Sequence, residues 1–227
     1  MGWDIKKALK DAVRSAWIRH RSERPKRHWQ RLYRGKPDGE QSWFKARPEV
    51  SLELIARANL PKTAPIIDVG GGASTLVDHL LDAGYRRLSV LDISAAAMAI
   101  SRERLGERAA EVTWIERDIA QFQDPGRYAL WHDWATFHFF VDHHARERYL
   151  EVMRQHLDPI GHLIIATFAW DGPRQCDGLP VKRYDPETLH EFLGKEFKLL
   201  EARHEVHLTP GGIEQKFLYA HFRRSRG

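Results

Sequence analysis

The sequence predicts a doubly wound α/β fold, in which a mostly parallel sheet carries helices on both faces. Three observations predict it. From residue 49 onward, apolar strand-like runs alternate with amphipathic helical segments, which is the order of a parallel sheet. An acidic residue stands at the end of each of the first three runs. The segments FKLLEARHEVHL and EQKFLYAHFRR then form an antiparallel pair, which a plain Rossmann-type ending lacks.

Each element is justified by its apolar spacing and by the residues that stop it. Helical spacing predicts helices in EVSLELIARANL, STLVDHLLDAGY, AAMAISRERLG, ARERYLEVMRQHLD and PETLHEFLG. Pro61 and Gly84 are typical stops for the first two of them. Strands are predicted in APIIDVGGG, RLSVLDIS, VTWIERDI, ALWHDWATFHFF and HLIIATFAW. Because crossovers between parallel strands are right-handed, this order winds helices onto both faces of the sheet.

The first 36 residues carry most of the positive charge. They hold 12 Lys and Arg against three acids, whereas the rest of the chain holds 24 Lys and Arg against 28 acids. Residues 3–20 have amphipathic helical spacing, and residues 21–27 are polar and interrupted by Pro25, which predicts a join. We therefore predict a basic extension at residues 1–27 and a folded domain at residues 28–227. A solvated helix is the favoured interpretation of the extension, over contact with nucleic acid, an anionic membrane or an acidic protein.

Composition excludes several classes of protein. The single cysteine, Cys176, excludes an internal disulfide and fits a reducing compartment. No apolar run is long enough to cross a bilayer, and the opening MGWDIKKALK lacks the apolar stretch of a secretory signal. We therefore expect a cytoplasmic protein with no membrane span. The sequence does not set the oligomeric state.

The strongest chemical signal is the segment Asp68-Val69-Gly70-Gly71-Gly72-Ala73-Ser74. An apolar strand ends at an acid, and glycines then allow a tight turn and a close approach of the backbone to a ligand. In open α/β sheets the ligand lies beyond the carboxyl ends of the strands. A dinucleotide fingerprint needs a third glycine where this chain has Thr75, so a ligand with a cationic amino group near Asp68 fits better.

Two further acids end the next two strands. Asp92, followed by Ile93, ends the second strand and can accept hydrogen bonds from both hydroxyls of a ribose. Asp118 ends the third strand, and its carboxylate together with the amide of Ile119 can bind the edge of an adenine. One such acid is usually a turn residue or a helix cap, but three at successive strand ends indicate a nucleoside site.

With these motifs, residues 28–223 resemble the class I methyltransferases that use S-adenosylmethionine (SAM), whose fold is a seven-stranded sheet with an antiparallel C-terminal pair. The segments HWQRLYRG and SWF are similar to a narrower group, which contains bacterial proteins of unassigned substrate and eukaryotic lysine methyltransferases of elongation factor 1A and citrate synthase. The resemblance implies that Trp29, Tyr33 and Trp43 close over the cofactor. An electron-rich ring beside a sulfonium would add cation–π energy; packing of the first helix onto the sheet is the alternative.

The fourth strand lies where this fold faces the transferred methyl group. His132 or Asp133 could take a proton from the acceptor, although positioning alone serves many methyltransferases. The resemblance implies that the residue at Trp134 touches the cofactor. Similar bacterial sequences usually carry Arg there, so Trp134 is a departure from their pattern.

The loop after the fifth strand resembles the DGP-x-x-C-x-GLPV-x-RY segment of the bacterial relatives. Lys182 and Arg183 could receive an anionic acceptor, and Tyr184 could line its pocket; a rigid loop holding a lid is the alternative. Cys176 is interpreted as structural. The histidines at positions 132, 138, 143 and 144 match no zinc spacing, so we predict no metal. We place His138 on the fourth strand and His143 and His144 in the turn after it.

These residues predict an enzyme that transfers a methyl group from SAM to an acceptor, and a small molecule is the favoured acceptor. The alternative is a protein lysine methyltransferase. A non-catalytic SAM-binding scaffold is a third hypothesis, which the intact set of glycines and acids disfavours. We expect no nucleic-acid partner.

Overall fold

The structure is a computed structural model that describes residues 24–34 and 41–225. Its main sheet has seven strands in the order β3-β2-β1-β4-β5-β9-β8. The strands of this sheet are β1 Pro65–Val69, β2 Arg87–Asp92, β3 Val112–Glu116, β4 Tyr128–Trp134, β5 Leu157–Phe168, β8 Phe197–Leu208 and β9 Glu214–Arg224. A separate two-stranded sheet joins β6 Gln175–Cys176 to β7 Leu179–Pro180.

The pairing confirms the fold class predicted from the sequence. Strand β1 lies between β2 and β4, and all of the pairs from β3 to β5 are parallel. Strand β9 pairs antiparallel with both β5 and β8. This arrangement is the class I methyltransferase fold. The short β6–β7 hairpin, which lies in the loop after β5, was not predicted.

Six helices cover the sheet within the described ranges. They are α1 over residues 24–34, α2 Glu49–Arg57, α3 Leu76–Asp82, α4 Ala95–Leu105, α5 His143–His156 and α6 Pro186–Leu193. Successive strand residues point to opposite faces, so Ile66 packs with side chains of α2, α3 and α4, while Ile67 packs with those of α5 and α6. Two apolar layers therefore enclose the sheet, as a doubly wound fold requires.

Three local predictions are wrong. Residues 24–27, with Pro25 among them, belong to helix α1 rather than to a join. The predicted boundary between residues 27 and 28 thus falls inside a helix, and the helix predicted over residues 3–20 lies outside the described residues. His138 lies in a 3₁₀ turn, Phe137–Phe139, after β4 ends, and His143 and His144 begin α5.

The carboxyl ends of the central strands meet at one edge of the sheet. Asp68 lies beside His132 in register, and Val69 beside Asp133. Asp92 ends β2, and Asp118 caps a 3₁₀ turn just after β3. The acids predicted from three separate segments are therefore brought to one edge. Within the described residues, no helix is both long and apolar enough to span a bilayer.

Candidate functional site

A cavity of about 1170 Å³ opens at this edge of the sheet. One end is lined by Gly70, Asp92 and Asp118, whereas Asp68 lies outside the lining; the other end is lined by aromatic side chains from α1, the segment after it, β4 and β9. Pockets for one drug-sized ligand occupy roughly 300–1,000 Å³. The cavity is therefore large enough for a nucleoside cofactor and a second small molecule together.

The glycine turn has no room for side chains. Gly70 has a φ of +73°, and a Cβ atom there would lie 1.7 Å from Thr136 Oγ1. A Cβ on Gly71 would lie 2.1 Å from Asp68 Oδ2, and one on Gly72 would lie 2.5 Å from the Cβ of Ala97. Gly70 and Ser74 line the cavity, whereas Gly71 and Gly72 support the turn from below. Backbone can approach a ligand closely here only because these residues are glycines.

Asp68 is buried and held by a chain of polar side chains. Its Oδ1 lies 2.7 Å from His132 Nδ1, and His132 Nε2 lies 2.9 Å from Ser51 Oγ. All three residues are at most 4% exposed. Asp68 Oδ2 is buried and has no hydrogen-bond partner among the described residues. His132 thus fixes the position of Asp68 from inside the fold and does not line the cavity.

Asp92 is positioned by backbone groups on both of its oxygens. Ser94 N–H donates to Oδ1 over 2.7 Å, and Gly72 N–H donates to Oδ2 over 3.0 Å. Each carboxylate oxygen retains a further lone pair, and both Asp92 and the adjacent Ile93 line the cavity. Burial raises the pKa of Asp92 to about 6, and the two backbone hydrogen bonds partly oppose this rise.

Asp118 and Ile119 line the cavity at the end of β3. Asp118 Oδ1 accepts a hydrogen bond from Ala120 N–H over 2.9 Å, which caps the following 3₁₀ turn. The second carboxylate oxygen makes no part of this cap. The sequence-predicted pair therefore lies on the same wall as Asp92.

Three aromatic residues predicted to close over the cofactor form one cluster at the cavity. The ring centroids of Trp29 and Trp43 lie 5.8 Å apart, as do those of Tyr33 and Trp43. Phe139 joins the cluster with its ring 5.0 Å from that of Trp29. Gln30 accepts a hydrogen bond from Ala96 N–H over 3.3 Å, so α1 is attached to the start of α4. The cluster thus packs α1 onto the sheet edge and also walls the cavity.

Trp134 lines the cavity at the end of β4. Its ring lies 5.7 Å from that of Phe217, and Lys45 Nζ lies 4.9 Å from its centroid. Lys45 forms an ion pair with Glu205 and donates to Tyr219 Oη over 3.1 Å. Burial lowers the pKa of Lys45, and the Glu205 carboxylate opposes this effect.

Asp133 is fully buried, and its hydrogen bonds stabilise the chain at the end of β4. One oxygen accepts Thr136 N–H over 2.9 Å, and the other lies 2.5 Å from the Tyr149 hydroxyl that donates to it. Burial raises the pKa of Asp133 to about 6 against these hydrogen bonds. Neither Asp133 nor His132 lines the cavity, so the structure brings neither proposed base to the place where an acceptor would lie.

The three residues predicted to bind the acceptor lie outside the cavity lining. Arg183 donates to Gly172 O over 3.1 Å and packs over Trp170. Lys182 lies over the ring of Tyr184, and Tyr184 is 1% exposed and stacks on Phe137. These contacts rigidify the loop, which was the alternative interpretation. Cys176 of the same loop does reach the cavity wall, and burial raises the pKa of its thiol.

Several cavity residues were not found from the sequence, namely Gln41, Phe44, Lys45, Thr136, Phe139, Arg148, Gln215 and Phe217. They come from the segment before α2, from the turn after β4, from α5 and from the last strand, and no motif connects them. One sequence pattern could have identified two of them. The alternation of side chains along β9 places Gln215 and Phe217 on one face of the sheet. No three His, Cys, Asp or Glu side chains within the described ranges are grouped so as to hold a metal ion.

Comparison with known proteins identifies the domain. A family model described as a methyltransferase domain matches residues 66–161, which run from β1 into β5. Residues 66–161 thus carry a methyltransferase domain, within the seven-stranded sheet of the class I methyltransferase fold. A mouse eEF1A lysine and N-terminal methyltransferase is 24% identical over 115 residues, which are 51% of this chain and 15% of the mouse protein. The match thus spans only a small part of that relative.

Solved structures share the fold of this methyltransferase. The 1,6-didemethyltoxoflavin-N1-methyltransferase of Burkholderia thailandensis is 21% identical, with a TM-score of 0.64 over 78% of this chain and 77% of that one. The N-methyltransferase NodS of Bradyrhizobium japonicum is 19% identical, with a TM-score of 0.64 over 86% of this chain and 97% of that one. Both of these structures contain S-adenosylhomocysteine.

The methyl donor of this fold is SAM, and the residues present fit it. The partnerless Asp68 Oδ2 lies under the glycine turn, the turn excludes every Cβ, and Asp92 retains lone pairs toward the cavity. A cationic amino group, a nucleoside and a ribose diol are the chemical groups that such a wall accepts.

Proposed function

We propose that this methyltransferase transfers a methyl group from SAM to a small molecule. The volume of the cavity carries the proposal. At about 1170 Å³ it exceeds what one ligand of ordinary size needs, and its two ends differ in chemistry. Carboxylates and Gly70 line one end, which suits the polar groups of the cofactor, and aromatic rings line the other, which suits the sulfonium and the acceptor beside it. Cytoplasmic location remains a prediction from the single cysteine.

The proposed cofactor end uses the residues found from the motifs. Asp92 and Ile93 hold the ribose, Asp118 and Ile119 hold the adenine, and Asp68 acts through the turn. The remaining proposed contacts are Gly70, Gly71, Gly72, Ser74, Trp29, Tyr33, Trp43 and Trp134. When bound, SAM supplies a methyl group on a sulfonium that is already activated for transfer. Rings beside that sulfonium would add about 1–2 kcal/mol when desolvated.

We propose that this chain accelerates transfer by positioning rather than by a protein base. His132 and Asp133, the predicted bases, are committed to Asp68 and to the β4 end, respectively. Holding two reactants in line can supply several kcal/mol, about 7–11 at most. The proposal suits an acceptor atom that is nucleophilic without loss of a proton in the enzyme.

A protein lysine methyltransferase is the second candidate function. It is favoured by the 24% identity to the mouse eEF1A lysine and N-terminal methyltransferase over 115 residues. The match covers only 15% of the mouse protein, so it supports methyl transfer more than it supports a lysine acceptor. A SAM-binding scaffold without turnover is a third possibility, which the complete cofactor wall disfavours.

Transfer of radiolabelled methyl from SAM into a fractionated lysate of the host tests these functions. We expect label in the small-molecule fraction, and no label with Asp92→Ala enzyme. Label that stays with macromolecules and disappears after protease treatment would instead select the protein methyltransferase. Tight binding of S-adenosylhomocysteine with no label in either fraction would select the scaffold.

A further inference from the structure

Two buried polar atoms at the aromatic end of the cavity have no partner. Trp134 Nε1, a donor, and Gln215 Oε1, an acceptor, are both buried without a hydrogen bond among the described residues. Gln215 is only 8% exposed, and both residues line the cavity. Buried polar groups are nearly always paired, because an unpaired one loses its hydration without compensation. Two such atoms at one end of a cavity indicate a missing ligand.

The two atoms lie in the same corner of the fold. Gln215 and Phe217 are two residues apart on β9 and therefore share a face. The Trp134 ring lies 5.7 Å from that of Phe217 and 6.4 Å from that of His207, which is the register partner of Gln215. A single ligand can therefore reach the donor and the acceptor at once.

The walls of this corner are flat and apolar. Phe217 packs against Trp134, and Trp43 and Phe44 also line the cavity. Aromatic side chains pack best against another planar group, in offset or edge-to-face geometry. This shape favours a ring over a long flexible chain such as a lysine side chain.

The lysine in this corner of the cavity is already paired with a carboxylate, so it is not available to bind an anion. Lys45 is the corner's nearest cation, with a side chain that is 7% exposed, but it is paired with Glu205 and also donates to Tyr219 Oη. Lys182 and Arg183, which were expected to receive an anion, lie outside the cavity lining. An anionic ligand would therefore lose hydration without gaining an unpaired cation.

We propose that Trp134 and Gln215 form the acceptor subsite, and that it binds a flat, uncharged heterocycle carrying an N–H or O–H donor next to a carbonyl-type acceptor. The Trp134 indole N–H donates to the ligand's acceptor atom, and Gln215 Oε1 receives the ligand's donor. This subsite rests on the proposed small-molecule function and narrows its substrate class.

Binding of carbostyril, an uncharged bicyclic lactam, to full-length enzyme saturated with S-adenosylhomocysteine tests the proposal by calorimetry. N-methylcarbostyril lacks the donor, and quinaldate is an anion of similar shape. We expect carbostyril to bind at least about tenfold more tightly than either, because each comparator leaves a buried group unpaired. Equal or tighter binding of quinaldate, or no binding of carbostyril, would overturn the proposal.

Two variants test the named residues. Gln215→Leu and Trp134→Phe each remove one hydrogen-bonding group and keep similar bulk, so each should weaken carbostyril binding about tenfold. Gln155→Leu and Trp170→Phe alter exposed residues outside the cavity and should leave it unchanged. Unchanged binding in both cavity variants would refute the subsite.

Binding of S-adenosylhomocysteine is measured first on every sample. A protein that binds S-adenosylhomocysteine but not carbostyril contradicts the subsite alone. A wild-type protein that binds neither contradicts the proposed function as well. Gln215→Leu should retain wild-type affinity for S-adenosylhomocysteine, which distinguishes loss of the subsite from loss of the fold.

Discussion

If Asp92 holds the ribose as proposed, it couples cofactor binding to a proton. Its buried carboxyl has a pKa raised to about 6, and ribose hydroxyls donate only to lone pairs that the ionised form offers in full. Bound cofactor therefore favours the ionised form and lowers this pKa. Near pH 6 the free enzyme carries a proton at Asp92 in a large fraction of molecules, and binding releases it.

We expect S-adenosylhomocysteine binding near pH 6 to release a fraction of a proton, and binding at pH 8 to release none. Calorimetry in buffers of different ionisation enthalpy measures this number directly. Asp92→Ala should abolish the release and weaken binding by more than about 1 kcal/mol, because a charged hydrogen-bonding partner is lost. Asp82→Ala, at an exposed site, is the matched control. An unchanged dissociation constant in Asp92→Ala would remove Asp92 from the ribose site.

The acids at this edge of the sheet were predictable because each lies at or just after the end of a strand, within a local motif. Asp68, Asp92 and Asp118 were found in this way. The role of His132 was not, because it depends on Ser51, which is distant in sequence and reaches His132 only when α2 packs on the sheet. Gln215 and Lys45 were missed for the same reason.

Helix α1 acts at the scale of an element, since it brings Trp29 and Tyr33 to the cavity while Gln30 attaches it to α4. If the rings face the sulfonium, removal of Trp29 should affect SAM more than S-adenosylhomocysteine, which has no positive sulfur. We expect Trp29→Ala to weaken the binding of SAM by about 1 kcal/mol more than it weakens the binding of S-adenosylhomocysteine. Parallel calorimetric titrations with both ligands measure the difference, and Trp170→Ala is the control. Equal losses for the two ligands would assign Trp29 to packing alone.

Strands β5 and β9 are joined by a buried histidine pair. His162 Nδ1 lies 2.8 Å from His221 Nε2, and the two residues are 5% and 2% exposed. Burial lowers the pKa of His162 to about 4, with further lowering by His221 and Arg223. Burial also lowers the pKa of His221, where Glu201 opposes it and Arg223 adds to it. A hydrogen bond between the rings requires one of them to be neutral.

This pair should make the sheet sensitive to acid. In the unfolded chain histidine takes up a proton near pH 6.5, whereas native His162 resists protonation until about pH 4. Its contribution to stability is therefore present above pH 6.5 and is lost as the pH falls toward 4. When the pH falls from 7 to 5, the free energy of unfolding of wild type should decrease. The decrease should be about 1 kcal/mol smaller in His162→Gln.

Urea unfolding at the two pH values measures that difference. The raised carboxyl pKa values of Asp92 and Asp133 act in the opposite direction, since the native state holds protons there that the unfolded chain releases above pH 4. Both terms are common to wild type and variant, so they cancel in the comparison. His204→Gln, at an exposed site, should behave as wild type. An equal loss in His162→Gln would show that the pair does not govern acid stability.

At the scale of the whole molecule, the doubly wound α/β arrangement and the antiparallel closing pair were predictable from periodicity, whereas the seven-stranded sheet was implied by the resemblance to class I methyltransferases. The apolar runs of β1, β4 and β5 are buried on both faces, as strands of a covered parallel sheet are. The predictions of local structure were wrong at positions where tertiary contacts determine the backbone conformation. The run through Phe137, His138 and Phe139 has strand-like composition, yet β4 stops at Trp134, because Asp133 accepts the N–H groups of Thr136 and Phe137.

Within the described residues, the buried members of the two apolar layers run from Leu54 to Phe222, and the residues that line the cavity begin at Pro25. The predicted basic extension, residues 1–27, overlaps the described residues only at the start of α1, and residues 1–20 lie outside them. The sequence prediction that the folded domain begins at residue 28 therefore needs a direct test.

We expect deletion of residues 1–20 to leave the thermal unfolding midpoint and the affinity for S-adenosylhomocysteine unchanged. The deleted stretch carries five Lys and Arg against two acids, so its loss should weaken only contacts that depend on charge, and these are sensitive to salt. Scanning calorimetry and titration of the full and shortened chains measure both quantities. A shortened chain that unfolds normally but no longer binds S-adenosylhomocysteine would place the extension in the cofactor site, beside the aromatic cluster of Trp29, Tyr33 and Trp43.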